Sequence, residues 1–215
     1  MLATGMHITQ AASREIMHDE KERKMDICVF CGSSSGKDPA YAHIAHELGQ
    51  AIAANGDHLV YGGGRLGLMG ALVEAALAAG GTATGVIPAF LAERLGLPVA
   101  GGQVSAVEDV IVTRDMHARK LTMFESADAF IALPGGIGTL EELVEQLTWA
   151  QLERHAKPVI LVNTNGYWAP LLHLFEHMRE QQFLRPGLDF HIEVTANAED
   201  AVARCHALIA AQPRA

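Results

Sequence analysis

Short apolar runs alternate along the chain with longer segments of helical periodicity, from Met25 almost to the end. The runs rich in β-branched and aromatic residues predict strands over 26–31, 58–61, 82–87, 107–112, 127–133, 158–163 and, more weakly, 190–194. The periodic segments predict helices over 39–55, 66–79, 114–126, 140–154, 167–182 and 198–211. This alternation predicts an α/β fold with a doubly wound, mostly parallel sheet that carries helices on both faces.

The apolar positions in two strands and one helix also predict which of their faces are buried. The strands over 127–133 and 158–163 are nearly continuous apolar runs, which is typical of strands covered on both faces. The helix over 140–154 has one apolar face with the spacing i, i+3, i+4, i+7, formed by Leu140, Leu143, Val144 and Leu147. We expect that face to pack on the sheet.

A chain of 215 residues has the size of one domain. We therefore predict a single Rossmann-like domain over 25–215. The extension over 1–24 ends in a charged run and is expected to be flexible or loosely helical. Residues 92–104 are predicted to form a long mobile loop.

Charge and cysteine content exclude several classes of protein. The formal net charge of −9 disfavours a nucleic-acid partner bound by phosphate neutralisation. The sequence shows no apolar run long enough to cross a membrane and no secretory signal in the first 24 residues. Three cysteines do not form a disulfide framework, so a cytoplasmic location is expected.

Three of the predicted strands run directly into glycine-rich loops, over 31–36, 62–70 and 134–139. The carboxyl ends of parallel strands lie at one edge of a sheet, where ligands bind in doubly wound folds. Glycines there let backbone N–H groups approach a phosphate, and the following helix dipoles favour negative charge. A single such loop could be only a tight turn. Three at one edge favour a phosphorylated ligand.

The loops do not match the two commonest nucleotide motifs. A Walker A loop would need a Gly-Lys-Ser/Thr sequence, which is missing from all three. Residues 62–67 fit G-x-G-x-x-G, but the next strand lacks the acidic residue that would bind the ribose of NAD. NAD binding is therefore disfavoured.

Two charged residues stand close to these loops. Thr139 is placed to cap the helix that follows the third loop, and Glu142 three residues later would complete a capping box. If the loop holds a phosphorylated ligand, the Glu142 carboxylate could instead face ribose hydroxyls or a carbon that gains positive charge. Arg119, on the preceding helix, could pair with a phosphate, although a lone arginine is more often an exposed surface residue.

Residues 116–120, Met-His-Ala-Arg-Lys, and 134–142, Pro-Gly-Gly-Ile-Gly-Thr-Leu-Glu-Glu, carry a resemblance to a known family. The chain resembles the LOG (Lonely guy) family of cytokinin riboside 5′-monophosphate phosphoribohydrolases, whose members often bear the label "possible lysine decarboxylase". Residues 29–34, 61–64 with 67–70, and 148–152 match as well. The resemblance covers about 25–186. It departs in the N-terminal extension, at Ile137, where plant members usually have tyrosine, and in the 92–104 loop.

The resemblance implies hydrolysis of the N-glycosidic bond of a nucleoside 5′-monophosphate, a cytokinin riboside 5′-monophosphate or AMP, to free base and ribose 5-phosphate. It implies Arg119 and Glu142 as the catalytic pair. No metal site is predicted from the sequence. The candidate substrate-binding residues are Gly32, Ser33, Gly63, Gly64, Met69, Lys120, Pro134, Gly135, Gly136, Gly138, Thr139, Glu141 and Thr148. A non-catalytic nucleotide carrier on the same fold stays open as the alternative.

The cysteines and lysines of the chain disfavour redox, metal and pyridoxal phosphate chemistry. Cys28 and Cys31 form a CxxC within a strand, where residues three apart point to opposite faces, so neither a disulfide nor a shared metal is expected. A lysine decarboxylase would need a Schiff-base lysine for pyridoxal phosphate, and only Lys120 is well placed. No cofactor is therefore expected.

The resemblance also implies a homodimer with its sites near the interface. An independent argument comes from Trp149 and Leu152, which lie off the apolar face of the 140–154 helix. A partner subunit would cover them, and a two-fold contact is the commonest way to do so. The alternative is that another helix of the same chain, such as the one over 167–182, packs over them.

Overall fold

The computed structural model describes residues 24–97, 102–105, 108–184 and 190–212, so the predicted extension lies outside the described residues except for Lys24. Eight strands within these ranges form one sheet. They are β1 (Asp26–Phe30), β2 (His58–Tyr61), β3 (Thr82–Pro88), β4 (Gly102–Ser105), β5 (Glu108–Thr113), β6 (Ala129–Ala132), β7 (Val159–Val162) and β8 (Glu193–Thr195).

Seven α-helices and one 3₁₀ turn, Thr164–Gly166, connect the strands in the described part of the chain. They are α1 (Pro39–Ala54), α2 (Gly67–Ala78), α3 (Ala89–Arg94), α4 (Met116–Glu125), α5 (Ile137–Gln151), α6 (Ala169–Glu180) and α7 (Ala198–Ala210). Asp38 and Asp115 cap α1 and α4 by accepting hydrogen bonds from backbone N–H groups of the first turn. None of the described helices has the length and apolar character needed to cross a membrane.

The strand order is β4-β5-β3-β2-β1-β6-β7-β8, and every pair is parallel except β4 with β5. The chain leaves β1 towards β2, β3 and β5, and then returns to β6 on the other side of β1. The gap between the carboxyl ends of β1 and β6 is therefore the point where the winding direction reverses, at which doubly wound folds bind ligands. The predicted α/β, mostly parallel architecture is confirmed.

The predicted loop over 92–104 is wrong at both of its ends. Helix α3 extends to Arg94, and Gly102–Ser105 forms the edge strand β4, antiparallel to β5. Residues 98–101 lie outside the described residues. The four residues Gly-Gln-Val-Ser have little intrinsic strand preference, and pairing with β5 makes them a strand. The sequence pattern alone had no signal for that pairing.

Two hydrophobic cores lie on the two faces of the sheet, because alternate residues of each central strand point in opposite directions. In β1, Ile27 and Val29 join the core under α1, α2 and α7, whereas Cys28 and Phe30 join the core under the other helices. Cys31 belongs to the first core. The two cysteines of the CxxC are therefore buried on opposite faces and both are free, as the strand geometry predicts.

Candidate active site

The three glycine-rich loops meet at the carboxyl edge of the sheet, next to the switch point. The backbone N–H of Gly32 donates to the carbonyl of Pro134 at 3.1 Å, which joins the first loop to the third. The N–H of Leu68, in the first turn of α2, donates to the carbonyl of Gly32 at 3.0 Å and joins the second loop to the first. The loops therefore form one continuous backbone surface.

The fit between the first two loops depends on Gly67. Its φ of +61° lies in the left-handed region, which favours glycine. A Cβ at this position would also lie only 2.4 Å from the backbone N of Ser34. Any other residue at position 67 would therefore push the first two loops apart.

Arg119 of α4 and Glu142 of α5 form a buried ion pair beside these loops. Nη1 of Arg119 donates to Oε1 of Glu142 at 2.5 Å, and each residue is only 7% exposed. Nε of Arg119 also donates to the carbonyl of Val86, near the end of β3, at 3.0 Å. The guanidinium is thus fixed between the sheet and α5, and the structure brings together the two residues named as the catalytic pair.

The second glycine loop lies directly against the Arg119 guanidinium. A Cβ at Gly62 would lie 2.4 Å from Nη2 of Arg119, so only glycine leaves room for the guanidinium there. This contact places the Arg119–Glu142 pair next to the backbone surface that the loops form.

Burial raises the pKa of Glu142, while the adjacent Arg119 guanidinium opposes the rise without cancelling it. A carboxyl group with a raised pKa next to a fixed cation is typical of a functional site. Such a carboxyl group can accept a hydrogen bond and, in its ionised form, stabilise a developing positive charge.

The predicted capping box is wrong. Helix α5 begins at Ile137, its cap is Gly136, and no side chain accepts a hydrogen bond there. Thr139 lies buried inside the first turn, and Glu142 turns to Arg119 instead of to the Thr139 amide. A buried guanidinium without a counter-ion would be strongly destabilising, so pairing with Arg119 outweighs an exposed cap.

Lys120 has two carboxylate partners on α5. Its Nζ donates to Glu141 and, at 3.0 Å, to Glu145. Burial alone would lower the pKa of Lys120, but these two hydrogen bonds outweigh it and the pKa is raised. A Schiff base with pyridoxal phosphate requires a neutral amine. The position of Lys120 therefore does not fit that cofactor.

The other candidate binding residues divide into loop residues and residues of α5. Gly63 and Pro134 are buried, Gly32 is buried at the junction of the loops, and Gly64 and Met69 lie against each other. Ser33, Gly136 and Gly138 are exposed, and Gly135 is half-buried. Thr148 is exposed on α5, and its hydroxyl donates to the carbonyl of Val144 in the same helix at 2.7 Å. The proton of the Thr148 hydroxyl is therefore engaged within α5 rather than with the loops.

A second buried network, which the sequence did not indicate, supports the second glycine loop. The Tyr61 hydroxyl donates to Oε1 of Glu108 at 2.8 Å, and Arg65 of the loop pairs with Oε2 of the same carboxylate. Glu108 is only 3% exposed. Burial, followed by the hydrogen bond to Glu108, raises the pKa of Tyr61. A glutamate at the start of an apolar strand was the only available signal.

Two further polar residues near the site, Gln146 and Tyr167, were also not identified from the sequence. Gln146 lies one turn after Glu142 on the same side of α5 and is 2% exposed. Its Oε1 has no hydrogen-bond partner among the residues that the structure describes. Tyr167, after β7, donates its hydroxyl to the carbonyl of Gly135 in the third loop. The Asn-Gly sequence at 165–166 was a signal for a turn at that edge of the sheet.

The outer face of α5 differs from the predicted one. Val144, expected to be buried, is 38% exposed, while Leu143 and Leu147 are buried as predicted. The ring of Trp149 packs edge-on against Phe124 of α4, with the centroids 4.9 Å apart. A helix of the same chain therefore contacts Trp149, but it is α4 rather than the helix after β7. Leu152 remains 58% exposed.

Comparison with known proteins places this arrangement in a family. Residues 69–205 match the family model described as "possible lysine decarboxylase". The chain is 45% identical over 178 residues to the cytokinin riboside 5′-monophosphate phosphoribohydrolase of Rhodococcoides fascians, covering 82% of this chain and 87% of that protein. It is 46% identical over 186 residues to LOG7 of Arabidopsis thaliana, which has the same name, covering 86% and 83%.

The fold is shared with solved structures of other proteins. The molybdenum cofactor carrier protein of Chlamydomonas reinhardtii is 29% identical, with a TM-score of 0.61 over 87% of this chain and 99% of that chain. The molybdenum cofactor binding protein of Rippkaea orientalis is 27% identical, with a TM-score of 0.62 over 87% and 99%. The sequence relatives and the family model together show that the chain belongs to the LOG family, the family described as possible lysine decarboxylases.

Proposed function

We propose that this protein hydrolyses the N-glycosidic bond of a nucleoside 5′-monophosphate, with a cytokinin riboside 5′-monophosphate or AMP as substrate. Water adds to C1′ of the ribose, the bond to the base breaks, and the base leaves with a proton, so the products are free base and ribose 5-phosphate. The observation that carries the proposal is the buried Arg119–Glu142 pair against the glycine loops at the switch point. Relatives about 45% identical bear the name of this activity.

The loops supply the phosphate site in this proposal. Helices α2 and α5 begin within the second and third loops, so their dipoles favour an anion there. The N–H groups of Leu68 and Met69 in α2 already donate to the Gly32 carbonyl, so the first turn of α5 supplies the donors for the phosphate. The exposed backbone of Ser33, Gly136 and Gly138 is accessible to a ligand. Gly32, Gly63, Gly64, Met69, Pro134, Gly135 and Thr139 shape that surface. The remaining candidates, Lys120, Glu141 and Thr148, do not contact the substrate in this proposal. They affect its binding by fixing the position of α5.

Glu142 and Arg119 supply the chemistry. Breaking an N-glycosidic bond gives the ribose an oxocarbenium-like character, with positive charge at C1′, by analogy with glycosidases. The Glu142 carboxylate stabilises that charge and orients the attacking water, and burial strengthens both effects. Arg119 holds the carboxylate in place and offsets negative charge on the departing base.

Two alternatives are less well supported. The decarboxylase label would require a neutral lysine, and Lys120 is held by two carboxylates. The structural relative described as a molybdenum cofactor carrier shows that a carrier protein uses this fold. A carrier would need the loops but not a catalytic carboxylate next to a fixed arginine, and the named hydrolases are closer in sequence.

The decisive experiment is a substrate panel with the purified protein and no added cofactor. AMP, N6-modified AMP, the other nucleoside 5′-monophosphates and the matching nucleosides are incubated with the protein, and base release is followed by chromatography. We expect release from adenine-type nucleotides and much slower release from nucleosides, because the phosphate supplies binding energy that is used in the transition state. Tight nucleotide binding without release from any of them would favour the carrier.

The same reasoning extends to assembly and location. The protein is proposed to be a cytoplasmic homodimer whose interface includes the outer face of α5. Ile137, Val144 and Leu152 are exposed on that face and fall within about 80° of one another at 100° per residue. A stripe of apolar side chains this exposed is typical of a protein interface.

A further inference from the structure

The segment 163–168, here called the bracket loop, follows β7 and lies at the same edge of the sheet as the glycine loops. It contains the 3₁₀ turn, in which Asn165 has φ +51° and Gly166 has φ +73°. A non-glycine residue in the left-handed region is held there by its surroundings. Trp168 anchors the other end, since it is 4% exposed and its backbone N–H donates to Oδ1 of Asn163 at 2.7 Å.

One contact of the bracket loop holds the third glycine loop. The Tyr167 hydroxyl donates to the carbonyl of Gly135. Gly135 stands two residues before Ile137, where α5 begins, so this bond fixes the orientation of the peptide that leads into the helix N-terminus. A carbonyl engaged in this way points away from a bound anion and leaves the N–H groups to face it.

A second contact holds the helix that follows the first glycine loop. Nδ2 of Asn165 donates to Oδ2 of Asp38 at 2.8 Å, while Oδ1 of Asp38 accepts the cap hydrogen bond from the N–H of Ala40 at 2.9 Å. One carboxylate thus connects the bracket loop to the start of α1. These are contacts between elements far apart in sequence, and they define the spacing of the two loops that flank the switch point.

An aromatic contact joins the two hydrogen bonds. The rings of Tyr41 in α1 and Tyr167 pack edge-on with their centroids 5.5 Å apart. Tyr41 in turn covers Gly36 of the first loop, where a Cβ would lie 2.8 Å from Cδ2 of the ring. The first loop, the bracket loop and the third loop therefore form one packed unit.

From these contacts we infer that Tyr167 and Asn165 are positioning residues for the 5′-phosphate of the substrate: they set the distance between the first and third glycine loops. The inference rests on the proposed function, because it takes those loops as the phosphate site. The bracket loop acts through the loop backbone, so its loss affects recognition of the phosphate and leaves the Arg119–Glu142 pair in place.

The test compares Tyr167→Phe and Asn165→Gly with wild type on AMP and on adenosine. Phenylalanine keeps the ring contact with Tyr41 but loses the hydrogen bond to Gly135, and glycine tolerates the positive φ but loses the hydrogen bond to Asp38. Each variant loses one hydrogen bond, so we expect KM for AMP to rise about 3- to 10-fold with kcat within about twofold. Activity on adenosine should be unchanged, so the preference for the nucleotide falls by the same factor. Tyr41→Phe, which keeps the Gly135 hydrogen bond, is the control.

Binding measured by calorimetry separates this inference from the proposed function. If wild type binds AMP but hydrolyses nothing, the hydrolase proposal fails. The inference still holds in that case if both variants weaken AMP and ribose 5-phosphate binding about 3- to 10-fold and leave adenosine binding unchanged. Equal losses for AMP and adenosine, a fall in kcat at constant KM, or wild-type behaviour in both variants would overturn it. Thermal melting shows whether each variant folds. If one of them does not, the binding of AMP and adenosine to the other variant tests the inference.

Discussion

Arg119 and Glu142 are 23 positions apart in sequence, yet their side chains meet at 2.5 Å. The pair exists because α4 and α5 lie on the same face of the sheet and both begin at its carboxyl edge. Both side chains are buried, and both are also held by other parts of the fold. Arg119 donates a hydrogen bond to the carbonyl of Val86, and Glu142 lies on α5, which begins in the third glycine loop. A charge pair fixed in this way is pre-organised for a reaction that develops charge.

Replacing Glu142 with glutamine separates charge from shape. Glutamine keeps an acceptor for Nη1 of Arg119 but leaves the buried guanidinium without its counter-ion, so we expect a loss of about 3 kcal/mol in the free energy of unfolding. Turnover should fall at least ~100-fold, the scale of one pre-organised electrostatic contact. Base release and thermal melting measure the two effects.

Glu145→Gln is the matched control for this variant, because it lies on the same helix and pairs with Lys120 rather than with Arg119. It should retain most of the turnover. Near-normal turnover in Glu142→Gln would show that the carboxylate charge does not take part in the reaction.

The pH dependence of activity should carry the signature of Glu142. Burial raises the pKa of Glu142 above its ordinary value, so the ionised form is reached at higher pH than for an exposed glutamate. We expect kcat/KM to rise with pH along an acid limb that reports this raised value. If the acid limb instead reports the ordinary pKa of a carboxyl group, the group that titrates is not Glu142.

The same shift has a consequence for stability. A carboxyl group with a higher pKa in the folded state binds its proton more tightly there than in the unfolded chain. The stabilisation from that proton is present below the unfolded pKa and is lost as the pH rises through the folded pKa. Urea denaturation gives the free energy of unfolding of wild type and of Glu142→Gln at each pH between the unfolded and the folded pKa of Glu142. We expect the difference between the two proteins to change with pH, and a constant difference would contradict the raised pKa.

The sequence predicted the architecture well because its signals were local. Continuous apolar runs marked β6 and β7, and glycines marked the turns after β1, β2 and β6. The edge strand β4 was missed, since its formation depends on pairing with β5 rather than on its own four residues.

The site was predictable only in part. Arg119 and Glu142 were identified from a motif resemblance, and the capping box assigned to Glu142 was a local interpretation that the long-range partner overrode. Tyr167 and Glu108 were missed because their partners, Gly135 and Tyr61, are 32 and 47 positions away. Polar contacts across that separation leave no periodic pattern in the sequence.

The Tyr61–Glu108 hydrogen bond should be measurable in stability. Tyr61→Phe removes the donor and leaves Oε1 of a buried carboxylate without it, so we expect a loss of about 1–3 kcal/mol in the free energy of unfolding. Urea denaturation measures this loss, with Tyr41→Phe as the control. An unchanged midpoint would mean that water or another donor replaces the tyrosine hydroxyl.

The three cysteines should be inert in the folded protein. Cys28, Cys31 and Cys205 are free and buried, and burial raises the pKa of all three thiols, that of Cys205 to about 12. Because the thiolate is the reactive form, a thiol reagent at pH 8 should titrate fewer than one cysteine in the native protein and all three in guanidinium. Rapid reaction of one thiol in the native state would show local opening of a core.

The last prediction concerns the outer face of α5. Val144 lies in the middle of the exposed apolar stripe, between Ile137 and Leu152, and on the same helix as Glu142. If this face forms a two-fold interface, Val144→Glu places a charge against its symmetry mate, beside Glu141 and Glu145, and the dimer should dissociate. Leu174→Glu is the matched control, because Leu174 is similarly exposed at 46% but lies on α6. Light scattering at low micromolar concentration should show a dimer for wild type and Leu174→Glu and a monomer for Val144→Glu. A wild-type monomer with full activity would exclude both the dimer and a site that depends on it.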